Sequence, residues 1–117
     1  MKKYKIYFLL FTIFSNTLIS QNLADKKVLV VWGGWDGHKP ELFANHVENW
    51  LIKEKADYKI INGLDAYDNY DELIKYDLII QSVTMDEISK EQEENLVKAV
   101  LNGVGIAGAH GGLVDSF

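Results

Sequence analysis

Two histidines set among glycines are the residues of this chain best suited to chemistry. His38 lies in Gly33-Gly34-Trp35-Asp36-Gly37-His38-Lys39-Pro40, and His110 in Gly108-Ala109-His110-Gly111-Gly112. Imidazole titrates nearest neutral pH. Each histidine could therefore act as a general acid or base, or hold a divalent metal such as zinc. Trp35 adds an aromatic face and Asp36 a carboxylate acceptor, a pairing suited to a sugar whose apolar side stacks while its hydroxyls hydrogen-bond. Gly33 and Gly34 would let backbone amides approach such a ligand. A tight turn opening a helix explains the same glycines, and Trp35 could equally pack under a neighbouring loop. The second segment has the outline of a nucleophile elbow, a sharp bend after a strand flanked by small residues. Its elbow position holds His110 where a hydrolase would hold Ser or Cys, so acyl transfer from that position is not supported. Gly111 and Gly112 bare the backbone beside the ring, and Asp115 is close enough in sequence to orient a ligand.

Composition narrows the chemistry further. The chain has 117 residues, no Cys and no Arg, with 12 Lys against 17 Asp and Glu. Disulfides, zinc–thiolate sites, iron–sulfur clusters and a cysteine nucleophile are therefore impossible. Arginine clamps on phosphate and arginine readout of guanine are absent too. All 17 acids lie at or after Asp25, while Lys2, Lys3 and Lys5 stand at the start. Without residues 1–20 the chain carries nine Lys against 17 acids, a net charge of −8. Such a surface repels phosphate backbones, so no nucleic-acid partner is expected.

Residues 1–20 read as a secretory signal peptide, with a basic start, an apolar stretch over 6–14 and a polar patch at Ser15, Asn16 and Thr17. The apolar stretch is far shorter than the roughly 20 residues that span a bilayer, so no stable membrane span is expected after cleavage. Export to the periplasm, outer surface or medium follows as the expected localisation. An uncleaved anchor is the alternative. Residues 21–117 form one domain.

The elements that must carry the histidines can be read from periodicity. Residues 28–32 are a continuous apolar run, as in a strand buried on both faces. Pro40 opens a helix over 40–55 whose apolar stripe is Leu42, Phe43, Val47, Trp50 and Leu51. Short strands follow over 58–61 and 77–81, with a loop over 62–69 and a short helix over 70–75 between them. Ser89 and Gln92 form a capping box at the start of a second long helix, and Gly103 stands where it would stop. A small-residue strand over 104–109 delivers His110 at its end. His46 reads as a helix-flank residue, and Asp86 and Glu87 as solvated loop acids. The order β-α-β-α-β-α-β implies an α/β fold, a doubly wound parallel sheet between helical layers. Ligands then bind outside the carboxyl ends of the strands, where 33–40 and 110–116 lie. Such sheets usually have five or more strands, so the chain is expected to hold an incomplete domain, truncated after its fourth strand.

Gly33-Gly34-Trp35-Asp36-Gly37-His38-Lys39-Pro40-Glu41 resembles the opening motif of the ThuA-like, trehalose-utilisation family. Ile88-Ser89-x-Glu91-Gln92 and Gly103-Val104-Gly105-Ile106-Ala107-Gly108-Ala109-His110-Gly111-Gly112 resemble its second. The resemblance implies a flavodoxin-like, three-layer α/β/α fold of the class I glutamine-amidotransferase-like group. It also implies a place in carbohydrate metabolism with a small-molecule carbohydrate partner, and it matches His38 and His110 to the family's motif histidines. His110 replaces the elbow Cys of true amidotransferases, so glutamine hydrolysis does not carry over. Three readings follow. The first is an exported protein acting on a sugar derivative through His38 and His110. The second is a non-catalytic carbohydrate-binding module. The third is a non-functional fragment.

Overall fold

The apolar runs separate two cores on opposite faces of one sheet, seen in a computed structural model that describes residues 22–117. The signal peptide expected over 1–20 lies outside the described residues. Strand β1 (Lys27–Gly34) is the centre of the arrangement. Its side chains alternate between faces, as a strand requires. Leu29 and Val31 enter one core with Leu64, Tyr67, Leu73, Ile79, Val83 and Leu96. Val28 and Val30 enter the other with Ala44, Leu51 and Ile80. Helix α1 (Pro40–Glu54) covers the second core. Helices α2 (Tyr70–Leu73) and α3 (Lys90–Leu101) cover the first. The result is the three-layer α/β/α sandwich expected from the element order.

Strands β2 (Asp57–Asn62), β3 (Leu78–Thr84) and β4 (Gly105–Gly108) complete a four-stranded, all-parallel sheet of order β2-β1-β3-β4. This is the flavodoxin-like order. The chain steps to one side of β1 and then crosses to the other, so the crevice where the winding reverses lies between the ends of β1 and β3. Among the described residues no helix is long and apolar enough to cross a membrane.

Local signals explain most boundaries. Pro40 opens α1, and Ser89 and Gln92 form both halves of the capping box on α3. Asn69 caps α2 by accepting from the amides of Asp71 and Glu72. Two departures from the periodicity matter. The loops after β1 and β2 tighten into single 3-10 turns, Asp36–His38 and Leu64–Tyr67. Strand β3 runs three residues beyond its apolar stretch, through Ser82, Val83 and Thr84, because β1 pairs with it as far as Gly34↔Thr84. The polar Gln81 that masks this extension is buried but satisfied. It accepts from the Tyr67 hydroxyl at 2.6 Å and donates to Ser116 Oγ at 2.8 Å. Burial holds the Tyr67 hydroxyl protonated far above its ordinary range.

At the opposite end of the sheet, Asp77 ties β1 to β3. Its carboxylate accepts the Lys27 amide at 2.8 Å and the Lys26 ammonium at 3.0 Å. The backbone bond from Lys27 first, then the Lys26 bond, lower its pKa below the ordinary 3.8. A carboxyl with a depressed folded pKa stabilises the protein above its unfolded value, and that stability is lost as pH falls through the folded one. The Asp77→Asn variant is therefore expected to be less stable than the parent at pH 7. Urea titrations at pH 7 and pH 3 should show the gap narrowing in acid. An equal gap at both pH values would contradict the assignment.

Candidate functional site

The loop after β1 is built around one close backbone approach. Gly34 has φ +75, and a Cβ there would lie 2.1 Å from the Thr84 carbonyl oxygen. That contact lets the Trp35 amide donate to the same oxygen at 2.8 Å. The 3-10 turn Asp36–His38 then folds the loop back on itself. Gly37 has no side chain because the Trp35 ring occupies that space, 2.2 Å from where a Cβ would stand. Trp35 stays 53% exposed, with its ring edge-on to His38 at 4.9 Å between centroids. It does not pack under a neighbouring loop. It lies on its own loop with the remaining surface open to a ligand.

His38 is held from three sides. Its Nδ1 shares a 3.0 Å hydrogen bond with Thr84 Oγ1. Trp35 stands against one side of the ring. On the third, a Cβ on Gly111 would meet His38 Cε1 at 2.7 Å, so a side chain there would displace the ring.

His110 follows β4 and precedes the short helix α4 (Gly111–Val114). Its backbone has φ 46 and ψ −130, a conformation that a residue with a side chain adopts only under strain. This is the sharp bend expected of an elbow. The turn is pinned to the end of β3: the amides of Met85 and Asp86 donate to the carbonyls of Asp115 and Ser116, each at 3.0 Å. Gln81 also reaches the Gly112 carbonyl at 3.4 Å. Gly112 lies against Ser82, whose Cα would be 3.0 Å from an added Cβ.

Strand order and register together bring the two histidines into one place. Their ring centroids are 6.1 Å apart and inclined at 67°. Trp35 and Gly111 stand against the His38 ring. Among the described residues, neither Asp36 nor Asp115 has a side-chain hydrogen bond to a histidine. Asp36 lines an adjoining hollow of about 310 Å³ with Trp32, Pro40 and Glu41. Asp115 contributes its backbone carbonyl to the turn, and its exposed carboxylate takes no part in a hydrogen bond among the described residues. Neither acid orients a histidine.

Three residues gain importance that their sequence did not show. Thr84 contacts the first loop, His38 and Gly111 at once. Its signal was hidden because the apolar run of β3 ends before it. His46 lines, with His38, Leu42, Phe43 and Trp50, an open hollow of about 540 Å³ along the outer side of α1. Asp86 turns toward the first loop, with Oδ2 4.0 Å from the position of a Cβ on Gly33.

His38 and His110 are the pair that could share a metal ion. Two imidazoles supply half of a four-ligand zinc shell. Among the described residues no group of three or more His, Asp or Glu is arranged to hold one. The residues present therefore do not make up a zinc site by themselves, and no chemical step is derived through a metal.

Residues 27–117 match the family model for ThuA, described as trehalose utilisation. No curated protein and no solved structure is significantly similar to the chain.

Proposed function

The chain belongs to the ThuA trehalose-utilisation family, and from that premise we propose that the crevice between β1 and β3 binds a carbohydrate derivative. Trp35 is the stacking platform in this reading, and His38 and His110 are the polar pair that contacts the sugar hydroxyls and moves protons among them. The observation that carries it is the meeting of two loop histidines at 6.1 Å beside a half-exposed tryptophan. An acidic protein without arginine is poorly suited to phosphorylated sugars, so the ligand is taken to be uncharged or cationic.

Calorimetric titration of the full chain with trehalose, alongside a chromatographic assay for conversion, tests this. Binding is expected, weakened about tenfold in Trp35→Ala through the lost stacking surface. His110→Ala is expected to abolish conversion. Heats that do not change in either variant, or no binding of trehalose or any other neutral glycoside, would overturn the proposal. A second reading, a binding module without turnover, has one observation in its favour: among the described residues no carboxylate hydrogen-bonds to either histidine, and the partner of His38 is the Thr84 hydroxyl. Binding without conversion would select it.

A further inference from the structure

Thr84 is 2% exposed and lies at the end of the strand against which both histidine loops pack. Its hydroxyl has one side-chain partner among the described residues, Nδ1 of His38 at 3.0 Å. We propose that Thr84 is a positioning residue that fixes His38 as the tautomer protonated on Nε2, so that His38 meets its ligand as a hydrogen-bond donor.

A threonine hydroxyl has one hydrogen to donate, and Nδ1 of a neutral imidazole either carries a hydrogen or offers a lone pair. Were Nδ1 protonated, it would donate to Oγ1, and the hydroxyl hydrogen would be left without an acceptor in a buried position. An unsatisfied buried donor is disfavoured. With the hydroxyl donating to Nδ1, both groups are satisfied by one bond, and the ring's remaining hydrogen must lie on Nε2. The nitrogen engaged by a structural partner thus determines what the other can do.

The surroundings hold this arrangement in place. Trp35 stands edge-on at 4.9 Å, and the space where Gly111 lacks a Cβ is filled by Cε1 of the ring. Thr84 is itself immobilised, since its carbonyl accepts the Trp35 amide at 2.8 Å and its strand pairs with Gly34. A histidine that ligates through Nε2 carries its proton on Nδ1, the reverse of what the Thr84 hydroxyl favours.

Only the donor role toward a ligand rests on the proposed sugar-binding function. The tautomer stands on the Thr84 geometry, and the experiment reads it without any ligand. Long-range proton–nitrogen correlation spectra of the ¹⁵N-labelled full chain, at a pH where its imidazoles are neutral, report which ring nitrogen carries the proton. Substitution of His46 and His110 assigns the signals. His38 is expected as a single tautomer with protonated Nε2 and bare Nδ1. Thr84→Val keeps the side-chain shape but removes the hydroxyl, and should shift Nδ1 and Nε2 towards averaged values. Thr84→Ser should restore the parent pattern. A protonated Nδ1 in the parent, or parent-like His38 shifts in a folded Thr84→Val, would overturn the proposal. If Thr84→Val fails to fold, the tautomer in the parent and in Thr84→Ser decides. A chain that binds no sugar would leave this result intact.

Discussion

Replacing His110 with glycine is expected to raise the thermal midpoint of the protein while abolishing conversion of the ligand. His110 holds φ 46 with ψ −130, outside the regions that residues with a side chain populate. Such a conformation costs on the order of 1–3 kcal/mol when a side chain is present. Glycine adopts it freely but loses more entropy on folding, roughly 0.5–1 kcal/mol. The net gain is about 1 kcal/mol, which corresponds to a rise of roughly 4–8 °C in a domain of this size. His110→Ala separates the two effects. Alanine keeps a Cβ and therefore the strain, so it should lose the imidazole without the gain in stability. Calorimetric scans of the parent and both variants measure the difference. A glycine variant no more stable than the alanine variant would show that the bend is unstrained. Strain kept at an exposed ring that faces His38 is the pattern of a functional residue.

The Gly34→Ala variant is expected to lose about 3 kcal/mol or more, and the site with it. A left-handed φ of +75 disfavours any side chain by roughly 1–2 kcal/mol. The added Cβ would also stand 2.1 Å from the Thr84 oxygen and 2.9 Å from its carbonyl carbon and amide nitrogen. These are backbone atoms of a central strand and cannot swing aside, so overpacking adds roughly 1–3 kcal/mol. Relief by moving β3 would break the bond from the Trp35 amide to Thr84 and carry the His38 anchor with it. Against a total stability of about 5–15 kcal/mol for an ordinary domain, that loss is large. Gly63→Ala is the control. Gly63 also has a positive φ, 92, but nothing lies within 4 Å of its added Cβ. Its cost should be confined to the backbone, roughly 1–3 kcal/mol at φ 92 and ψ 170, without the overpacking that Gly34→Ala adds. Urea midpoints for the two variants should differ accordingly. Equal losses would mean that the contact with Thr84 is not rigid.

These variants bear on what could be read in advance. The alternation of apolar runs and helical stripes was legible, because burial on one face or two imposes a period on the residues themselves. So were the Pro40 helix start and the Ser89–Gln92 capping box, which involve residues a few positions apart. The end of β3 was not. Gln81 and Ser82 look like the beginning of a loop, and only partners 14 and 35 residues from Gln81 make its burial tolerable. Thr84 shared that fate: its hydroxyl anchors His38 from 46 residues away. Asp36 borders the hollow beside Pro40 and Asp115 has an exposed carboxylate, placements that the sequence of a loop does not specify.

The sequence by itself determined the fold class, the order of the elements and the two glycine-bounded histidine segments at strand ends. Each of these follows from local rules of periodicity, capping and turn chemistry. Only the tertiary structure decided that His38 and His110 stand 6.1 Å apart, that Thr84 holds the first and that the backbone at the second is strained. Those facts depend on the register of β1 against β3 and on the pinning of the 110–116 turn to the end of β3. Both are contacts between residues far apart in the chain, whose pairing no local pattern encodes.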